Sequence, residues 1–329
     1  MVSIRDVAKY AGVAISTVSK VLNHYPNISE ETREKVNRAI AELNFVPNTI
    51  AAALSSKKSG RIALLINMIT HTQAIDEIDM QYLSGAINQA KKASLEVLTI
   101  FFSMFEDKSA DEITTYLRSQ NISGLIIYGL SKDDTVLHEL IGREEFKVVL
   151  VDAPLMNEST STVWIDHKKA QYEVAHKTIL ENNSQKILYI SGKQNGYVTQ
   201  ERIAGIKRLT EEHKLDLMEK RGDFSERNAR NITFSYAEDY DAIVCASDLM
   251  AIGAMKALIE MDIFRPVCGF DGITLMGYVG KQMNTVRQDF SYISAQAVEE
   301  LRKLMKGESG REVILPYTIV RMQYQDIIC

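Results

Sequence analysis

Cysteine is scarce in this chain: Cys245, Cys268 and Cys329 are its only three, odd in number and far apart. That spacing offers neither a CxxC pair nor a disulfide framework, and buried free thiols are the expected state. Long apolar runs are missing as well, since no stretch approaches the roughly 18 uninterrupted apolar residues that a transmembrane helix needs. The first residues, Met1 to Tyr10, carry charge and helical periodicity where a signal peptide has an apolar run, so a cytoplasmic location is expected. Catalytic signatures are equally absent. There is no GxxxxGK[ST] phosphate loop, no GxSxG elbow and no HExxH, and the six histidines are scattered without metal-ligand spacing. No enzymatic activity, metal or cofactor is therefore expected. The acidic pairs Asp133-Asp134 and Glu144-Glu145 read as solvated faces, and the methionines as core filling.

What the chain does contain is an ordinary globular composition, 46% apolar and 25% charged over 329 residues. This argues against long disorder or a coiled-coil rod and gives room for about two or three domains of roughly 100–200 residues each. The net charge of -5 is unevenly spread. Residues 1–60 hold eight basic and five acidic residues, a net of +3, which leaves -8 on the remainder. A small basic head on an acidic body suits a protein of which one end approaches a polyanion.

The head reads as short helices. Ile4, Val7, Ala8 and Ala11 fall on one helical face, and Gly12 follows where a tight turn belongs. Val18, Val21 and Leu22 mark a second helix, and Ser29 is placed to cap a third that carries Val36, Ile40 and Leu43. Pro47 breaks that helix. Asn48 can cap a short helix, Thr49 to Leu54, ahead of the linker-like Ser55-Ser56-Lys57-Lys58-Ser59-Gly60.

From Ile62 the rhythm becomes short apolar runs alternating with longer amphipathic segments. Strands are expected at Ile62–Ile66, Val97–Phe102, Gly124–Tyr128, Val148–Val151, Ile187–Ile190, Ala242–Cys245 and Val267–Phe270, with helices such as Tyr82–Ala93 and Leu249–Glu260 between them. Continuous apolar strands separated by helices imply parallel sheets covered on both faces. Ligands of such sheets sit beyond the carboxyl ends of the strands, so the residues just after each run are the candidates for binding.

The stretch from Ser3 to Asn23 has the form of a helix-turn-helix, with Ile15, Ser16, Thr17, Ser19 and Lys20 on the open side of the second helix. With Asp6-Val7-Ala8, Ala11-Gly12-Val13, Thr17-Val18-Ser19 and Val21-Leu22-Asn23 at their observed intervals, it resembles the N-terminal domain of LacI/GalR-family transcription repressors. The resemblance implies that Ile15, Ser16 and Lys20 face base edges in the major groove of double-stranded operator DNA, while Thr17 and Ser19 hold phosphates. The family usually has Arg at the position of Lys20 and Ser at that of Ala14; lysine lacks the planar fork, which softens base discrimination. The segment from Phe45 to Leu54 resembles the family's hinge, in which Asn48, Ala51 and Leu54 would meet DNA and the leucine would wedge into the minor groove. The other reading of Leu54 is a helical linker residue packed on the core.

The likeness continues through nearly the whole chain. The expected fold is an all-α helix-turn-helix head (residues 1–46), a hinge helix and linker (47–59), and an α/β periplasmic-binding-protein-like core (60–329). The core would comprise two doubly wound parallel-sheet subdomains, the first about 60–160 and 291–322, the second about 161–290. Four segments carry the likeness: Arg202-Ile203-Ala204-Gly205, Gly222-Asp223-Phe224-Ser225, Ala246 to Gly253, and Gly269-Phe270-Asp271 together with Thr285 to Phe290. By that resemblance Asp152, Arg202, Phe224, Ser247, Asp271, Gln288 and Phe290 line an effector cleft, with Asn67 and Tyr128 on its first-subdomain wall. Carboxylates, an arginine and an amide can bind vicinal hydroxyls while aromatic faces cover a sugar ring, so a sugar or sugar derivative is the expected effector. For Arg202 a surface ion pair, and for Phe224 and Phe290 plain core packing, are the other readings. Asp248 is equally a helix cap or a ligand contact.

Three places depart from the family pattern: the long run from Asn67 to Asp79, Asn183-Ser184 where Gly-His is common, and the shortened loop Phe264-Arg265-Pro266-Val267. Asparagine tolerates the left-handed helix ending that glycine provides. Family tetramers carry a leucine-heptad tail, and this chain stops at Cys329 soon after Arg321, so a homodimer on a pseudo-palindromic operator is expected. Other readings are a regulator whose core answers to a protein partner, a phosphorylated carrier protein acting as corepressor, and a sugar-binding or sugar-modifying protein with an incidental head.

Overall fold

Ser3 starts the first helix through a reciprocal capping box: its hydroxyl accepts from the Asp6 N–H, and the Asp6 carboxylate accepts from the Ser3 N–H at 2.8 Å. The helix, α1 (Ile4–Ala11), ends at Gly12 with φ +66°, a left-handed conformation that glycine adopts without penalty. Then α2 (Ile15–Leu22) buries Val18 and Val21. Ser29 caps α3 (Glu30–Glu42) by accepting from the Thr32 N–H. Val7, Ala8, Val18, Val21, Val36, Ala39 and Phe45 form one small core among the three helices. The Tyr10 hydroxyl donates to Glu42, joining α1 to α3.

This computed structural model describes residues 2–22, 25, 27–43, 45, 60–67, 76–279 and 281–322. The chain divides into two units, Met1–Ser59 and Gly60–Cys329. In chain order the second runs β1 (Arg61–Ile66), α4 (Asp76–Lys92), β2 (Glu96–Phe101), α5 (Ala110–Ser119), β3 (Ile122–Tyr128), α6 (Thr135–Gly142), β4 (Lys147–Val151) and β5 (Thr160–Ile165). It continues through α7 (His167–Asn182), β6 (Lys186–Ser191), α8 (Tyr197–His213), β7 (Asp216–Arg221), α9 (Glu226–Tyr236), β8 (Ala242–Cys245), α10 (Asp248–Glu260) and β9 (Val267–Cys268). The last described elements are β10 (Asn284–Arg287), α11 (Phe290–Met305), β11 (Glu312–Leu315) and β12 (Thr318–Arg321).

The strands form two six-stranded sheets, one per lobe. The first has the order β11-β5-β4-β3-β1-β2 and is parallel throughout. The second has the order β12-β10-β9-β8-β6-β7, with β12 antiparallel to β10 and the rest parallel. Ile62–Ile66 and Ala242–Cys245 are buried along their whole length, as strands covered by helices on both faces must be. The chain passes between lobes three times, at Ile165 to His167, Arg287 to Phe290 and Leu315 to Thr318.

These crossings move two expected boundaries. Residues 161–165 belong to the first sheet, not the second, because Thr160–Ile165 lies between β4 and β11. Conversely, Thr318–Arg321 pairs with β10 in the second sheet instead of ending the first lobe. Asn183, at φ +52°, closes α7 by donating its N–H to the Ile179 carbonyl, the left-handed ending expected of it. Cys245 and Cys268 are buried free thiols, and burial raises the pKa of both; Cys329 lies outside the described residues. Among the described residues no helix is long and apolar enough to cross a membrane.

Candidate functional site

Two places gather the residues singled out above. On α2, Val18 and Val21 are drawn into the head core, which leaves Ile15 45% exposed and Ser16 and Lys20 at the surface, with Thr17 and Ser19 half-buried beside them. Asn48, Ala51 and Leu54 lie outside the described residues.

The second place is a cleft of 840 Å³ between the lobes, and all nine expected effector residues line it. Asn67 follows β1, Tyr128 ends β3 and Asp152 follows β4. On the other lobe Phe224, Ser247, Asp271 and Gln288 follow β7, β8, β9 and β10, while Arg202 comes from α8 and Phe290 opens α11. The set therefore sits at the carboxyl edges of two parallel sheets, where strand ends and helix starts leave room for a ligand.

Arg202 is the centre of the polar wall. Its side chain is 5% exposed, its guanidinium lies 3.7 Å over the Phe270 ring, Nη1 donates to the Ala246 carbonyl, and Nη2 is 3.6 Å from Asp271 Oδ1. The surface-ion-pair reading of Arg202 therefore fails. Gln288 Nε2 donates to Asp271 Oδ1 at 3.2 Å, and Gln288 Oε1 is buried without a hydrogen-bond partner among the described residues. Opposite, Asp152 Oδ1 accepts from His167 Nε2 at 2.9 Å and Oδ2 accepts from the Tyr82 hydroxyl at 3.2 Å. Asp152 sits at φ +63° and Asp271 at φ +129°, backbone states disfavoured for residues with a Cβ and concentrated at functional sites.

Electrostatics separates the carboxyls. Burial pushes Asp271 up to about 8, although the Arg202 guanidinium pulls the other way. Burial opposes ionisation of Asp152 too, but His167, Arg202 and the Tyr82 hydroxyl outweigh it and hold its pKa below the usual range. One cleft thus carries a neutral acid able to donate and a carboxylate able only to accept.

Aromatic rings close the apolar side. Tyr82, Tyr128 and Phe290 form a cluster, with Tyr82 ring centroids 4.8 Å and 5.2 Å from the other two. The Tyr128 hydroxyl is engaged with Ser294. Phe224, at φ +60°, lies over Gly192, where a Cβ would come within 2.1 Å of its ring. Asp248 resolves as a structural group: it is fully buried, and its carboxylate accepts from Gly272 N at 2.7 Å, Ile273 N at 2.8 Å and Thr285 Oγ1 at 2.6 Å. It fixes the loop that aims Asp271. Ser247 caps α10 by accepting from the Met250 N–H.

Sequence reading missed Tyr82 and His167. The only signal for His167 was its place directly after a strand, and that strand was itself unexpected. Contacts that join the lobes were also missed: Lys132 N donates to the Asn195 carbonyl at 3.0 Å, Asn195 donates to Asp133, and Glu77 accepts from Thr274 N at 3.0 Å and Oγ1 at 2.7 Å. Among the described residues no group of three or more His, Cys, Asp or Glu is placed to hold a metal ion.

Comparison with known proteins matches residues 3–48 to the model of bacterial regulatory proteins of the lacI family. Residues 80–266, more than half of the chain, match that of the periplasmic binding proteins and sugar binding domain of the LacI family. The chain belongs to the LacI family. Among its LacI-family relatives, the lactose operon repressor of Escherichia coli K12 is 28% identical over 330 residues, covering 97% of this chain and 89% of the relative. Catabolite control protein A of Staphylococcus xylosus is 28% identical over 334 residues and covers 97% of each. A solved structure of the lac repressor dimer bound to operator and the anti-inducer ONPF aligns with a TM-score of 0.82 at 25% identity, over 98% of this chain and 99% of that one.

Proposed function

We propose that this LacI-family chain is a sequence-specific transcription repressor that grips a pseudo-palindromic operator as a homodimer and changes its operator affinity when a small sugar enters the cleft. The observation that carries the sugar reading is the pairing of a donor-acceptor wall, Arg202, Asp271, Gln288 and Asp152, with the aromatic wall of Tyr82, Tyr128 and Phe290 around one cavity. Vicinal hydroxyls need both donors and acceptors at fixed spacing, and the apolar face of a pyranose needs rings. For DNA, the exposed row Ile15, Ser16 and Lys20 on α2 reads bases, while Thr17 and Ser19 take phosphates. Asn48, Ala51 and Leu54 are assigned to the hinge by resemblance alone.

The test is selection of bound duplexes from a random-sequence library by the full-length protein, followed by titration of the enriched operator with and without sugars. The expected outcome is a pseudo-palindrome, and an operator affinity changed about 5–150-fold by one sugar, a coupling of about 1–3 kcal/mol. Enrichment of no sequence, or an affinity indifferent to every sugar tried, counts against the reading. A core controlled by a protein partner is the second reading, supported by the likeness to catabolite control protein A. An apolar or filled cleft would favour it; the cleft is open and, although its lining is mainly apolar, it carries Arg202, Asp152, Asp271 and Gln288, which favours a small molecule.

A further inference from the structure

Beneath Asp152 and Arg202 lies a histidine that the sugar reading leaves without a role, and the inference drawn from it rests on that reading. His167 opens α7, at the first crossing between lobes. Its side chain is fully buried, yet both ring nitrogens meet polar groups. Nε2 is 2.9 Å from Asp152 Oδ1 in the first lobe, and Nδ1 is 3.4 Å from both Nε and Nη2 of Arg202 in the second. Arginine only donates, so Nδ1 must accept; an ionised carboxylate only accepts, so Nε2 must carry the hydrogen. A single neutral tautomer satisfies both neighbours. Phe270 stacks on the ring at 5.6 Å and Trp164 meets it edge-on at 6.0 Å, which fixes the plane in which the two nitrogens point.

We infer that His167, as its neutral Nε2–H tautomer, is a positioning residue that holds Asp152 of one lobe and Arg202 of the other in a single register for the effector. Protonating Nδ1 removes the acceptor that Arg202 uses and sets an imidazolium against the guanidinium. Burial lowers the pKa of His167 and keeps the ring neutral near pH 7, with Asp152 and Glu201 pulling upward and Arg202 downward. The other titratable groups near it are Tyr82, which donates to Asp152, and Asp271, which faces Arg202. The consequence is an effector affinity that falls as pH falls through the histidine titration, independently of operator DNA.

Long-range 1H–15N spectra of the full-length protein near pH 7.5 test the tautomer with no ligand, His167 being assigned by its loss in His167→Gln. The neutral Nε2–H form is expected; an Nδ1–H tautomer or an imidazolium overturns the inference. Thermal-shift titrations with D-galactose, D-glucose, D-ribose, lactose and cellobiose from about pH 5 to about pH 8 test positioning. For the sugar that binds, the wild-type apparent Kd rises about tenfold or more toward the acid end. His167→Gln, which can still donate to Asp152 but does not titrate, binds several-fold more weakly at neutral pH with a flatter profile, and His167→Leu loses about fiftyfold or more. Parallel pH profiles for wild type and His167→Gln overturn the inference. Should no sugar shift the wild-type protein, the effector reading fails while the spectra still decide the tautomer.

Discussion

Asp271 and Asp152 are carboxyls of one cleft under opposite pressures, and that difference has a measurable consequence. With a folded pKa near 8 against an unfolded value of roughly 3.9, Asp271 retains a proton that the unfolded chain gives up. Its contribution to stability is full below the unfolded pKa and is lost as pH rises through about 8. Asp248, pushed up to about 6 by burial, adds to the same slope over a lower range. Asp152, held low, contributes the reverse: stability present in neutral solution and lost on acidification. Melting temperatures followed from about pH 5 to about pH 8 should therefore decline more in wild type than in Asp271→Asn, and identical slopes would remove the neutral acid from the account. At this scale the strand pattern alone pointed to Asn67, Tyr128, Asp152, Ser247 and Asp271, at or just after apolar runs that the sheet places, whereas Arg202, Phe224, Gln288 and Phe290 were named only through the family resemblance. His167 was hidden for the same reason inverted. The strand before it, Thr-Ser-Thr-Val-Trp-Ile, buries three hydroxyls and does not look apolar.

Elements tell a similar story. Of the strands that sequence alone revealed, all but β2 lie in the sheet interiors, β1, β3, β4, β6, β8 and β9, where both faces are covered and apolar runs are required; β2 stands at an edge. Those it missed are β7 with its charges, β11 and β12 at sheet edges, β10 with buried Asn284 and Thr285, and β5. Their polar character is resolved by specific partners, for instance Thr285 donating to Asp248 and Thr162 to the Ala153 carbonyl at 2.7 Å, which no hydropathy pattern encodes. Helix contacts carry a sharper prediction. At Gly253 on α10 a Cβ would fall 2.1 Å from the Glu226 carbonyl oxygen at the start of α9, a backbone atom that cannot step aside cheaply. Gly253→Ala should cost about 1–3 kcal/mol through overpacking, read as a lower urea midpoint with unchanged slope. An unchanged midpoint would mean that α9 and α10 separate freely.

For the whole molecule the account joins a DNA-reading head to a ligand-binding body. The charge division, +3 on residues 1–60 and -8 elsewhere, directs polyanion binding to the head and predicts operator affinity that falls steeply as salt rises. Leu54→Ala should weaken binding to the selected operator by about tenfold or more while leaving nonspecific binding nearly unchanged, measured by anisotropy on the two duplexes side by side. Equal losses on both would sink the wedge assignment. The body's role is tested most directly by the thermal shift of the purified full-length protein with sugars, run in parallel with Asp271→Ala. A ligand at about 100 times its Kd adds roughly 2.7 kcal/mol to stability. The account predicts a selective upward shift with one class of sugar that disappears in Asp271→Ala; no shift with any sugar, or a shift that survives Asp271→Ala intact, would contradict it.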